Sequence, residues 1–187
     1  IAILDADDIA LPERFEKEWV ALEEHAADVV GSWVSLINEA GETIGTRELP
    51  ASYEAIRDML WWRNPIAHSS ALVRTAALKK HPYEEALRYG EDYRLWVTLA
   101  LHDYRLINLP EVLVHYRVKE DPKSHGGKWH RAWSDLSNRM GALLLYSAPT
   151  ALCRQPLVAL SVLARLAPPP VWRVLRRFRD RFSAGRW

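Results

Sequence analysis

The chain has 187 residues, 49% of them hydrophobic and 26% charged, a make-up that allows one domain with a real core and excludes a disordered chain. Its single cysteine, Cys153, excludes an internal disulfide framework and a cysteine-based metal cluster, and reads as a small buried hydrophobe in a reducing compartment. The net charge of +1 hides an asymmetry: residues 1–30 carry nine acids and two bases, residues 151–187 eight Arg and one acid, so the two ends should meet different partners, neither of them nucleic acid.

The opening, Ile1-Ala2-Ile3-Leu4 followed by Asp5-Ala6-Asp7-Asp8, reads as a buried strand that stops at a solvent-facing acidic edge. Ligands of open α/β sheets bind outside the carboxyl ends of strands, so a charged ligand is expected here. Three carboxylates this close repel one another, and a divalent cation with oxygen ligands relieves that repulsion. The same acids are also ordinary turn and cap chemistry, with Asp8 able to cap the helix that follows. A helix-loop-helix calcium site fits poorly, because Ala10 stands where that loop needs Gly. The chain starts in mid-strand and without Met, which reads as a fragment of a longer protein. No window of about 18 apolar residues occurs, so no transmembrane helix is expected.

Residues 11–25 place Phe15, Trp19 and Leu22 at helical spacing among charges, which predicts an amphipathic helix with those three on its apolar face. Residues 28–37 are rich in β-branched and aromatic side chains, and Asn38-Glu39-Ala40-Gly41 supplies a turn before a second strand near 43–46, a hairpin. Ser52 caps a helix through about Trp61, which Asn64-Pro65 ends. A strand over 66–73 and a short helix over 75–80 follow. Gly90 then opens a second acidic spot, Glu91-Asp92, at the head of a helix over 93–101, where the helix dipole favours ionised carboxylates. Residues 104–108 and 112–118 read as two strand pieces around Leu109-Pro110-Glu111.

From Asp121 the character changes. Trp129, Trp133, Leu136, Met140 and Leu143 recur at the period of a helix that buries one face. After Pro168-Pro169-Pro170, a last helix sets Val171, Leu175, Phe178 and Phe182 apart from Arg173, Arg176, Arg177, Arg179 and Arg181. That basic amphipathic pattern suits an anionic membrane surface, or a solvated terminal helix packed on the domain. The chain thus divides into 1–120 and a helical, basic extension over 121–187.

Taken together, LDADD at 4–8, NPIAHSS at 64–70, GEDYRLW at 90–96 and LPEVLVHYR at 109–117 resemble, in order and spacing, the catalytic-domain motifs of the family 2 glycosyltransferases. The resemblance covers about residues 1–117. It implies the A-type glycosyltransferase fold, a Rossmann-like α/β domain, of which this chain would be the second half without the part that holds the nucleotide base. The implied reaction is inverting, metal-dependent transfer of a sugar from a nucleotide-diphosphate sugar to an acceptor hydroxyl, in glycan or surface polysaccharide synthesis.

On this resemblance Asp5 and Asp7 match the family's Asp-x-Asp motif, the metal and donor site, and Asp8 is an extra acid. Mg²⁺ or Mn²⁺ would bridge the diphosphate and stabilise the leaving group. Glu91-Asp92 matches the family's acidic pair, with Asp92 the general base toward the acceptor and Glu91 its support. Trp96 would stack beneath the acceptor sugar or lie in the core. Arg117 and Lys119 would contact the diphosphate, Arg117 being otherwise a surface ion pair. Lys119 stands where many relatives have His, which leaves a third metal ligand open, with His115 and His125 as candidates. The Gln-x-x-Arg-Trp motif of processive relatives is absent, which implies non-processive transfer. A glycan or lipid-linked acceptor is implied, with a cytoplasmic location and peripheral contact of 171–182 on the inner face of the membrane.

Two other readings fit parts of the chain. The opening is similar to that of haloacid dehalogenase phosphatases, whose first Asp is a nucleophile, although nothing downstream supplies the rest of their site. A half-domain without catalysis could bind glycans or a partner through Trp61, Trp62 and Trp129.

Overall fold

The computed structural model describes residues 1–118, apart from positions 62, 86 and 88, together with 136–138 and 140. In chain order its elements are β1 (Ile9–Ala10), α1 (Arg14–Glu24), β2 (Val29–Ile37), β3 (Thr43–Arg47), α2 (Tyr53–Leu60), a 3-10 turn (His68–Ser70), β4 (Leu72–Val73), α3 (Thr75–Lys80), α4 (Glu91–Leu101) and β5 (Leu106–Arg117). Among the described residues no helix is long and apolar enough to cross a membrane. The expected extension over 121–187, including Trp129, Trp133 and the basic helix over 171–182, lies outside the described residues save for its short piece at 136–140.

The spine of the sheet is the parallel pair β2 and β5, in register from Val29 opposite Leu106 to Ile37 opposite Arg117. β1 pairs antiparallel with β5 on its far side. The free edge of β2 is shared: β3 pairs with its second half as a hairpin, and β4 with Val29 and Val30 at its start. Side chains alternate between the faces of a strand, and here both faces are covered by helices. Val29 and Leu106 pack with Ile56 and Leu60 of α2, Ala77 of α3 and Trp96 and Leu99 of α4. Val30 and Ile107 face the other way, onto Ala21 and Leu22 of α1. The result is a three-layer α/β domain, the class expected from the sequence.

Several local expectations are corrected. The opening residues are not a buried strand: Ile1 and Leu4 are exposed, and among the described residues the segment pairs along 71–73, with bonds from Ile3 N to the Ala71 carbonyl and from Val73 N to the Ile1 carbonyl, each 2.9 Å. The strand expected over 66–73 shrinks to Leu72–Val73, because the buried Ser70 hydroxyl donates to the Ala67 carbonyl at 2.9 Å and closes a turn. The two strand pieces around Pro110 are one strand, β5. It accommodates Pro110 where its register with β2 shifts, next to Ser32 and Trp33, so the lost proline N–H breaks no regular rung of the ladder.

The α1 face is the largest correction. Phe15 is 50% exposed and Trp19 59% exposed, while Arg14 and Glu18 are fully buried beside Leu22. Arg14 Nη2 donates to the Ile3 carbonyl at 2.8 Å and reaches that of Ala71 at 3.4 Å, and its Nε meets both Glu18 oxygens at 2.9 and 3.1 Å. The helix turns an ion pair inward because the opening segment has backbone carbonyls there that need donors. Burial pushes the Glu18 carboxyl up to about 7, against the pull of Arg14.

Candidate active site

Asp5, Asp7 and Asp8 sit on the loop between the opening segment and β1. The Asp5 N–H donates to Ser69 Oγ at 3.2 Å, and Asp5 Oδ1 lies 3.3 Å from His68 Nδ1. Asp8 caps no helix, contrary to one expectation. Its Oδ1 accepts the Arg117 N–H at 2.7 Å, at the carboxyl end of β5, and its Oδ2 is buried with no partner among the described residues. Arg117 in turn donates from Nε to the Asp7 carbonyl at 2.9 Å and from Nη1 to the carbonyls of Asn38 and Glu39 at 2.9 and 3.0 Å. It therefore fastens the acidic loop across the ends of β2 and β5, and these donors hold backbone rather than stand open to phosphate, as the sequence reading had them.

The second acidic group stands at the head of α4. Gly90 takes the left-handed φ of +70° that a residue without Cβ adopts freely, and turns the chain into the helix. Asp92 Oδ1 accepts the Tyr93 N–H at 2.7 Å, and Oδ2 accepts from Asn64 Nδ2 at 2.7 Å. Burial raises the Asp92 pKa above the usual carboxylate range, and Glu91 adds to the rise; the Tyr93 N–H, His68 and the Asn64 amide pull it back. The described piece of the extension docks here, with Asn138 donating to the Gly90 carbonyl at 3.0 Å and Arg94 donating to Ser137 at 2.5 Å.

His68 stands between the two acidic groups. One ring nitrogen faces Asp5, the other lies 3.0 Å from the Tyr83 hydroxyl, and the ring is near enough to Asp92 to lower that carboxyl's pKa. The Tyr83 hydroxyl is pushed up to about 12, by burial first and then by Asp92, Glu91 and Asp5. Tyr116 is raised by burial and by Asp8, Asp5 and Asp92, against Arg47. The two acidic motifs, some 85 positions apart in sequence, thus share one electrostatic field at one end of the sheet.

Of the two expectations for Trp96 the core one holds and the acceptor platform does not: it is 0% exposed, in the core with Val29 and Leu106, and offers no face for stacking. Lys119 and His125 lie outside the described residues, and His115, on β5 opposite Ile9, has a buried Nδ1 without a partner among the described residues. Among the described residues no group of three His, Cys, Asp or Glu side chains is assembled around a metal position. A hard cation such as Mg²⁺ is commonly held by one or two carboxylates together with substrate phosphates, and Asp5 and Asp7 have the oxygen chemistry for that share. The residues the sequence reading left without a role are Asn64, His68, Ser69 and Tyr83. The first three lie in the NPIAHSS stretch that carried part of the resemblance, whereas nothing local marked Tyr83.

The fold is that of the Rossmann-like glycosyltransferases: the chain superposes on Staphylococcus aureus TarS in complex with UDP-GlcNAc with a TM-score of 0.56, at 17% identity, covering 87% of this chain and 47% of that one. In sequence it is a homologue of proteins named glycosyltransferases. An uncharacterised one of Methanocaldococcus jannaschii is 36% identical over 121 residues, 63% of this chain and 41% of the relative. The amylovoran biosynthesis glycosyltransferase AmsE of Erwinia amylovora is 31% identical over 178 residues, 94% of this chain and 65% of the relative. The O-antigen biosynthesis glycosyltransferase WbnJ of Escherichia coli is 33% identical over 121 residues, covering 63% and 47%. The chain therefore spans between two fifths and two thirds of the length of these relatives. No protein-family model matches it. These relatives displace the phosphatase reading. The reading without catalysis loses one of its surfaces, since Trp61 is partly buried against the core, and Trp62 and Trp129 lie outside the described residues.

Proposed function

We propose that this chain belongs to an inverting, metal-dependent family 2 glycosyltransferase that moves one sugar at a time from a nucleotide-diphosphate sugar to an acceptor hydroxyl in polysaccharide synthesis. The observation that carries the reading is the Asp92 carboxyl, held by Asn64 and Tyr93 with a raised pKa and linked through His68 to the acidic edge at Asp5. An inverting displacement needs a base on the face opposite the leaving diphosphate, and a carboxylate of raised pKa is a stronger base than an ordinary one. The relatives named for amylovoran and O-antigen synthesis, and the UDP-GlcNAc bound to the structural neighbour, support a nucleotide-sugar donor and a glycan acceptor.

In this reading Asp92 accepts the proton of the attacking hydroxyl, and Glu91 keeps it basic by like-charge repulsion. Asp5 and Asp7 would hold Mg²⁺ or Mn²⁺, which supplies charge stabilisation for the departing diphosphate. Arg117 holds the loop that presents them. Lys119 would contact the diphosphate. The basic stretch over 171–182, whose sequence pattern is that of an amphipathic helix, would rest on the inner face of the cytoplasmic membrane, near lipid-linked acceptors; liposome co-sedimentation checks this, and binding indifferent to anionic lipid overturns it.

The decisive experiment pairs two substitutions in the full-length protein, assayed with a panel of nucleotide sugars. Asp92→Asn keeps shape and removes basicity, and should lower turnover on the order of 10² to 10⁴ with donor affinity nearly intact. Asp7→Asn should weaken donor binding instead. If Asp92→Asn keeps normal turnover, the base is elsewhere.

A further inference from the structure

The strap over 64–70 touches both acidic motifs. At its start Asn64 Nδ2 donates to Asp92 Oδ2 at 2.7 Å; four residues on, His68 Nδ1 faces Asp5 Oδ1 at 3.3 Å, and Ser69 Oγ accepts the Asp5 N–H at 3.2 Å. The orientation of the Asn64 amide follows from its neighbours. Its Oδ1 accepts the Ile66 N–H at 3.2 Å, which leaves Nδ2 for the carboxylate, and a flipped amide would lose both bonds.

Between its two ends the strap is held from the core. The Pro65 carbonyl accepts from buried Asn108 Nδ2 at 3.0 Å, Ile66 is buried, and Ser70 Oγ accepts the Ser32 N–H of β2 at 3.1 Å. Asn108 is itself pinned by the Pro50 carbonyl at 2.6 Å and by its N–H to the Ala51 carbonyl at 3.0 Å. Gly31 makes room for it, since a Cβ there would fall 2.2 Å from Asn108 Oδ1. A strap fixed to β2 and β5 at three points can transmit a fixed spacing to the groups at its two ends.

Resting on the transferase reading above, we propose that Asn64 is the positioning residue of the base Asp92, and that the strap from Asn64 to Ser69 sets the spacing between that base and the donor edge at Asp5. Asn64 orients one carboxylate oxygen, so that the remaining lone pairs aim at the acceptor hydroxyl, and it opposes the effect of burial on Asp92. The titratable groups coupled to Asp92 are Glu91 on its own helix, His68 on the strap, Tyr83 before α4 and Tyr116 on β5; Glu91 raises and His68 lowers its pKa.

The test is Asn64→Asp, which keeps an oxygen for the Ile66 N–H and so keeps the turn, but replaces the donor toward Asp92 with a second carboxylate. It should lower kcat about 10- to 100-fold with donor KM unchanged, and move the acid limb of the kcat profile to higher pH. The exchanged pair, Asn64→Asp with Asp92→Asn, restores the hydrogen bond and should regain the thermal midpoint lost by Asn64→Asp, without regaining turnover. A wild-type kcat and acid limb in Asn64→Asp overturn the proposal, as does a loss confined to donor KM. Carbon-detected NMR titration of the Asp92 carboxyl gives a readout that needs no transfer assay. A midpoint that rises in Asn64→Asp supports the tie even if no nucleotide sugar turns over, in which case the function reading alone fails; an unmoved midpoint refutes the tie even in an active enzyme.

Discussion

At the head of α4 two influences act on one carboxyl in opposite directions. The helix dipole and the Tyr93 N–H favour the Asp92 anion, whereas burial and Glu91 disfavour it, and burial is the largest of these. If Asp92 is the base, as proposed, we predict from this that turnover falls on the acid side at a pH above the ordinary Asp value of 3.8, because a base must be unprotonated and this proton leaves only at higher pH. A kcat profile against pH checks it, and an acid limb at the position of an unperturbed carboxylate refutes it. The identity of the Glu91-Asp92 pair was legible in the sequence through its motif. Its environment was legible only as far as Tyr93 and Glu91, because Asn64 and His68, which also act on Asp92, are separated from it by more than 20 residues of sequence. The inverse holds for Trp96, whose spacing one turn after Asp92 was legible while the side of the helix it occupies was decided by packing against β2 and β5.

Among the elements, α1 separates what periodicity can tell from what it cannot. Spacing located the helix within a few residues at each end, but the aromatic side chains that define the stripe lie outward and Arg14 and Glu18 lie inward. A hydrophobic pattern has no means of announcing that a guanidinium will serve the Ile3 carbonyl and reach that of Ala71, which already accepts the Ile3 N–H. Removing one member of a buried pair leaves the other uncompensated, so Arg14→Met should destabilise by about 3–5 kcal/mol. The double variant Arg14→Met with Glu18→Leu should recover most of that loss, since no charge is then left in the core, with Ile3 and Ala71 accounting for the remainder. Urea midpoints of the three proteins decide it: equal losses in the single and double variants would mean that the pair is not what the helix is buried for. The hairpin and the Ser52 cap, by contrast, were legible because their signals are local, a Gly41 at φ +87° and a hydroxyl three residues before the Ala55 N–H it accepts at 3.2 Å.

Over the whole molecule, charge gathers where the chain's two motifs meet. Asp5, Asp7, Asp8, Glu91 and Asp92 converge at one end of the sheet, and the guanidinium of Arg117 there is engaged with three backbone carbonyls. A nucleotide diphosphate is an anion, and at an effective dielectric of about 20 two like charges about 4 Å apart repel by roughly 4 kcal/mol. Asp5 and Asp7 would therefore oppose the ligand they are proposed to bind unless a divalent cation stands between them and the phosphates. We predict that chelating divalent ions from the full-length protein weakens nucleotide-diphosphate binding by about 100-fold or more, and that Mn²⁺ or Mg²⁺ restores it. Asp7→Ala should remove the ion-dependent part of the affinity while leaving the weak ion-free binding unchanged or slightly tighter, because one repelling carboxylate is gone. Calorimetric titration of a nucleoside diphosphate, with and without chelator, measures both effects. Affinity indifferent to chelation in the wild-type protein would refute the metal reading, and a loss of the ion-free binding in Asp7→Ala would show that the Asp7 side chain does more than hold an ion, since the Asp7 carbonyl that Arg117 grips is kept in the variant.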